Sequence, residues 1–124
     1  MSETAAALGL GESDVAGAYE RLAAGRVIVL RPGTHDVLMA APLSAVPTRH
    51  RALLRDGASH YANCIWDALG VMEMLGSDGV VVTSCPDCDS ALELHVRDRA
   101  LEPSDTVVHF VVPAARWWDD IVFT

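Results

Sequence analysis

Residues 91–97 read Ala-Leu-Glu-Leu-His-Val-Arg, a strict alternation of apolar and polar side chains. Leu92, Leu94 and Val96 fall in one row and Glu93, His95 and Arg97 in the other, the period of a strand with one apolar face. Two further runs have strand character: residues 80–83, and the nearly all-apolar residues 107–112, which predict a central strand. Residues 51–55 predict another, closed by the turn pair Asp56-Gly57. Over residues 61–69, Ala62, Ile65, Trp66 and Leu69 recur at helical spacing, with Gly70 as the stop and a further helical turn over residues 72–75. Residues 114–120 predict a last helix. A helix followed by antiparallel strands defines an α+β fold.

The first 45 residues have a different order. An Ala-rich stretch over residues 3–8 predicts a short helix ended by Gly9 and Gly11. Ser13 is placed to cap a second helix, in which Val15, Ala18, Tyr19, Leu22 and Ala23 share a face and Gly25 ends the run. Residues 27–30 and 37–40, joined by a Pro-Gly turn, predict a hairpin. Helix, helix, hairpin is the order of the last part of a winged helix. Pro42 and Pro47 then bracket a linker. This divides the chain into a partial winged-helix-like segment, residues 1–45, and an α+β core, residues 46–124.

Charge argues against DNA binding by that segment. Residues 1–58 hold six acidic groups and six Arg, whereas residues 59–124 hold eleven acidic groups and three Arg, so the net charge of −8 lies in the second part. Phosphate contact needs a positive surface, which this chain lacks. No apolar run approaches a membrane span, and no basic leader precedes an apolar stretch, so a soluble cytoplasmic protein is expected, with neither nucleic acid nor membrane as partner.

Three cysteines, Cys64, Cys85 and Cys88, carry the chemistry. An odd count in such a chain argues against a disulfide framework and for soft-metal or redox chemistry. Cys64 and Asp67 stand three apart, on one face of the expected helix. A helix N-terminus would lower the Cys64 pKa, and the carboxylate would sit beside whatever the thiolate binds. Cys85-Pro86-Asp87-Cys88 is a C-x-x-C turn between strands, half of a zinc site or a redox pair. With Cys64 as third ligand and His95 or His109 as fourth, a metal set of Cys64, Cys85 and Cys88 is the expectation. His109, in an apolar run, is otherwise expected as a hydrogen-bonded core residue. No phosphate loop or nucleophile elbow is present, which argues against ATP and nicotinamide cofactors.

The order of motifs resembles the alkylmercury (organomercurial) lyase family. The stretches that carry the resemblance are Ser44-Ala45-Val46-Pro47-Thr48, Tyr61-Ala62-Asn63-Cys64-Ile65-Trp66-Asp67-Ala68-Leu69, Cys85 and Val108-His109-Phe110. The resemblance implies a winged-helix-like N-terminal part without DNA-binding function and a catalytic α+β domain. It implies carbon–mercury cleavage, with Cys64 as mercury-capturing thiolate, Asp67 as proton relay and Cys85 as a structural cysteine. At the place of the family's second catalytic cysteine stands Ser104-Asp105-Thr106. Asp105, or a sulfur from Cys88, is the candidate replacement.

Mercury then enters as part of the substrate. No cofactor is expected to be required, and zinc or copper would be alternative cargo. A non-catalytic soft-metal binder, or another Cys64-dependent reaction on the same scaffold, are the competing expectations. A homodimer would cover an open sheet edge.

Overall fold

The computed structural model describes residues 1–122. Two helices, α1 (Ser2–Leu8) and α2 (Glu12–Ala24), lead into a small antiparallel sheet, order β1-β2-β3, of β1 (Val29–Leu30), β2 (Val37–Ala40) and β3 (Leu43–Ser44). The expected hairpin is there, and part of the expected linker forms its third strand. The cap of α2 is Gly11, not Ser13, which lies inside the helix. Gly25 ends α2 as expected. These elements follow the expected chain order, with Leu43 of β3 also bridging to Ala62 beside the second sheet.

The second sheet is antiparallel and has five strands, in the order β5-β4-β6-β7-β8. They are β4 (Arg51–Leu54), β5 (Ser59–Tyr61), β6 (Gly79–Ser84), β7 (Ala91–Arg97) and β8 (Ala100–Leu101). Along β7, Leu94 is buried and Leu92 and Val96 half-buried or nearly so, while Glu93 and His95 point to solvent. The apolar row meets α3 (Ile65–Leu75), which lies across that face. Ala52 and Leu54 of β4, Val81 of β6, Leu94, and Ala68, Val71 and Met72 of α3 make the core. The helical spacing of residues 68, 71 and 72 puts all three on the sheet side.

The helix differs from its expected bounds at both ends. Residue 61 is still in β5, paired with Arg51, and α3 begins only after Cys64. Gly70 does not stop the helix, because a glycine costs only about 1 kcal/mol relative to Ala and the buried residues on either side outweigh it. Gly76 does stop it, in a left-handed conformation (φ 59°), with Gly76 N–H on Glu73 C=O and Ser77 N–H on Met72 C=O.

Residues 107–112 form no strand. Val107 is 88% and Val111 77% exposed, and His109 is exposed rather than a core residue. An apolar run becomes a central strand only where a sheet edge accepts it. The outer edge of β7 is taken by β8, and among the described residues nothing pairs with 107–112. Phe110 instead packs on Trp66 and Trp117, at centroid distances of 6.1 and 5.2 Å. The last element is a 3-10 helix, Ala114–Asp119, in place of the expected α-helix. Among the described residues no helix is long and apolar enough to cross a membrane.

Candidate active site

Cys64 is the N-cap of α3. Its extended backbone (φ −141°, ψ 179°) turns the chain from β5 into the helix, and its Sγ accepts a hydrogen bond from the backbone N–H of Asp67 at 3.3 Å. Sulfur here does the work usually given to a Ser or Asp oxygen, satisfying an otherwise unpaired N–H of the first turn. The Asp67 carboxylate is close enough for its charge to raise the thiol pKa. The two residues expected to act together are thus in contact.

Both line a cavity of about 170 Å³. Its walls are Ile28, just before β1, Met39 of β2, Trp66 from α3, and Phe110, Trp117 and Trp118 from the last part of the chain. The polar groups are few: Cys64, Asp67, Asn63 and the Arg26 guanidinium, which lies over the Trp118 ring at 5.4 Å. A second cavity, about 130 Å³, touches Cys64 from the side of residues 108–112. The small first sheet and the last segment therefore wall in the thiol.

The expected lowering of the Cys64 pKa is reversed. Burial pushes the thiol up, and the Asp67 charge adds to this; the backbone N–H bonds from Asp67 and Trp66 pull the other way and lose. At neutral pH the group is a thiol, held near a carboxylate.

Two residues without a marked sequence signal belong to the same neighbourhood. His50 precedes β4, and its Nδ1 pairs with the buried Thr83 hydroxyl at 2.8 Å. Burial lowers its pKa, Arg49 lowers it further, and Asp67 raises it, so His50 feels the site carboxylate. Only the register of β4 against β6 brings it there, which no spacing in the sequence reveals. Asn63 stood in the singled-out motif with no role assigned; its Oδ1 is buried without a hydrogen-bond partner.

Cys85 and Cys88 lie apart, in the turn between β6 and β7, and do not line either cavity of Cys64. All three thiols are free. Among the described residues no three His, Cys, Asp or Glu side chains converge on one point, so the expected joint set of Cys64, Cys85 and Cys88 is not assembled around a single ion. His95 turns to solvent beside Glu93. Asp105 is exposed, between Ser104 and Thr106, whose hydroxyls pair at 2.7 Å, and does not line the Cys64 cavity.

The alkylmercury lyase family model matches residues 43–124, about two thirds of the sequence, and the chain belongs to that family. A solved structure described as the mercury-bound form of MerB2 shares the fold, with a TM-score of 0.61 and 24% identity, over 82% of this chain and 48% of that one. The chain thus spans about half the length of that relative. No curated protein matches.

Proposed function

We propose that this chain cleaves carbon–mercury bonds, with Cys64 capturing mercury and Asp67 delivering the proton. The observation that carries the reading is the pairing of the two residues in the lining of one apolar cavity: Asp67 N–H donates to Sγ at 3.3 Å, and the Asp67 charge acts on the thiol.

The chemistry follows from that pairing. Mercury is soft and prefers sulfur. When an organomercury cation, R–Hg⁺, bonds to Sγ, the thiol proton leaves. The Asp67 carboxylate, which lines the same cavity, accepts it. The carboxylic acid so formed lies beside the bound R–Hg group. Transfer of its proton to carbon breaks the carbon–mercury bond, and the bonding electrons stay with carbon to make R–H. Mercury(II) remains on sulfur, with the Asp67 carboxylate beside it. No oxidation state changes, and Asp67 returns to its starting form. Phe110, Trp66 and Trp117 give an apolar wall that suits an alkyl or aryl group and keeps competing water away from the acid.

Capture without cleavage is the second reading, favoured by a specific observation: Cys64 is the one thiol lining the cavity among the described residues. A single-turnover assay separates the two. Reduced protein is mixed with phenylmercury, and benzene is followed by gas chromatography, beside Cys64→Ser and Asp67→Ala. Benzene release that requires both residues supports the lyase; bound mercury with no benzene leaves a soft-metal binder.

A further inference from the structure

The β6–β7 turn holds a feature that the cleavage reaction does not use. Asp89 N–H donates to Cys85 C=O at 2.9 Å, and Cys85 N–H donates to Ser90 C=O at 2.9 Å. Asp89 takes the left-handed conformation, φ 55°, that this double closure requires. The chain folds back on itself, so that Cys85 and Cys88 share one closed turn. Ser90 Oγ lies 3.1 Å from Cys88 Sγ. Cys88 is exposed and Cys85 half-buried. Arg49 reaches to the turn, 3.4 Å from Ser84 Oγ and 3.6 Å from an Asp89 carboxylate oxygen.

The ligand count is selective. The turn brings two cysteines, and among the described residues no group of three or more His, Cys, Asp or Glu side chains is placed to hold one ion. Zinc wants four ligands. A soft cation that is content with two thiolates suits the pair.

The register places this pair near the cavity. Tyr61 of β5 and Val82 of β6 both pair with Arg51 of β4, and both pairings are antiparallel. Strands β5 and β6 therefore run the same way, one on each side of β4. Cys64 and Cys85 each come three residues after that shared rung, so they leave the sheet at the same end. Two inter-strand spacings, roughly 10 Å, separate the strands that carry them.

We propose that Cys85 and Cys88 form a second, two-thiolate site, and that it takes over the mercuric ion left on Cys64 after cleavage. Binding at the turn stands by itself, while the hand-over rests on the lyase reading. The hand-over is ligand exchange. Bonds from Cys85 and Cys88 sulfur to mercury form, and the bond from Cys64 sulfur breaks. One of the two released thiol protons returns to Cys64, the other goes to water, and no redox change occurs.

Two measurements test this. In the first, Cys64→Ser protein is given mercuric chloride with excess 2-mercaptoethanol, gel-filtered, and its mercury measured by mass spectrometry. One retained equivalent is expected, lost on adding either Cys85→Ser or Cys88→Ser, with zinc chloride not retained. Circular dichroism checks that each variant is folded; Cys88 is exposed, so its replacement leaves the core untouched. No retained mercury in folded Cys64→Ser overturns the site. In the second, wild-type protein takes one equivalent of phenylmercury, and iodoacetamide, applied above the ordinary thiol range of pH where free Cys64 also reacts, then labels the free thiols. Benzene release with Cys64 labelled and the Cys85–Cys88 peptide protected is expected. Benzene release with Cys64 protected and Cys88 labelled overturns the hand-over. Absence of benzene refutes the lyase reading, and the first measurement then decides the site independently.

Discussion

Asp67 acts on Cys64 twice, its backbone N–H donating to Sγ at 3.3 Å and its carboxylate charge raising the thiol pKa. The first effect depends on the helix and survives any side-chain change. The second exists only with a carboxylate. Asp67→Asn therefore separates capture from proton delivery. The expected outcome is protein that still retains mercury but releases hydrocarbon about 10²–10⁴-fold more slowly, the usual range for a lost general acid. Single-turnover benzene release, with bound mercury measured in the same sample, checks it. Equal rates in the two proteins would remove Asp67 from the mechanism.

The same pair governs thiol reactivity. Burial raises the Cys64 pKa, and the Asp67 carboxylate adds to the rise. Hydrogen bonds from Ser90 lower that of Cys88. Only the thiolate is alkylated. At pH 7 iodoacetamide is expected to modify Cys88 first, and Cys64 only as the pH rises above the ordinary thiol range. Asp67→Asn, by removing a negative charge, shifts the Cys64 profile to lower pH. Peptide mass spectrometry against pH reads all three effects.

Local pattern announced some of this arrangement and tertiary context decided the rest. The alternation at Leu92, Leu94 and Val96 is a property of the strand itself, and it survives into the structure. So does the i, i+3 relation of Cys64 and Asp67, since one turn of helix is enough to bring them together. The pairing of residues 107–112 depended on whether a sheet edge was free, which their own sequence does not encode. The Cys64 pKa likewise depended on what covers the thiol. Helix position alone favours the thiolate, but the walls from residues 26–41 and 108–118 bury it, and burial is the larger effect. His50 was invisible for a similar reason: it enters the neighbourhood through strand register, opposite a threonine 33 residues away.

That register gives His50 a measurable effect on stability. Burial and the Arg49 charge depress its pKa below 6.5, against an upward pull from Asp67. As pH falls through 6.5, the unfolded chain takes up this proton first and the folded chain only at lower pH. The unfolded state then binds more protons, so stability falls as the solution is acidified. Urea midpoints are expected to drop between pH 8 and pH 5.5. The drop should be smaller in His50→Gln, which retains a hydrogen-bonding group toward Thr83 but does not titrate. Identical pH slopes in the two proteins would assign the effect to other groups.

The helix that carries Cys64 is held by its buried face, and Met72 is the largest side chain on it, 1% exposed. It packs in the cluster formed with Leu54, Val81 and Leu94 from three strands. Met72→Ala removes that contact and leaves a hole the sheet cannot fill, for an expected loss of about 2–5 kcal/mol in urea unfolding. Mercury capture by the fraction that remains folded should be unchanged, because Met72 does not touch the Cys64 cavity.

Gly79 sits at a close backbone approach within the sheet. It pairs with Leu54 of β4 at one side and Val96 of β7 at the other. A Cβ added there would run into the Leu53 carbonyl oxygen and the Leu54 backbone, both fixed by the ladder and unable to swing aside as a side chain would. Gly79→Ala must therefore push β4 and β6 apart where they pair, an overpacking cost of about 1–3 kcal/mol. Gly70 provides the control. It lies in α3, and a Cβ there meets only the Pro42 side chain at ordinary contact distance, 3.8 Å. Ala is also the better helix former, so Gly70→Ala is expected to stabilise the protein by up to about 1 kcal/mol. The two alanine variants should thus move the urea midpoint in opposite directions. A shift of the same sign in both would mean that the backbone approach at Gly79 is not what limits that position.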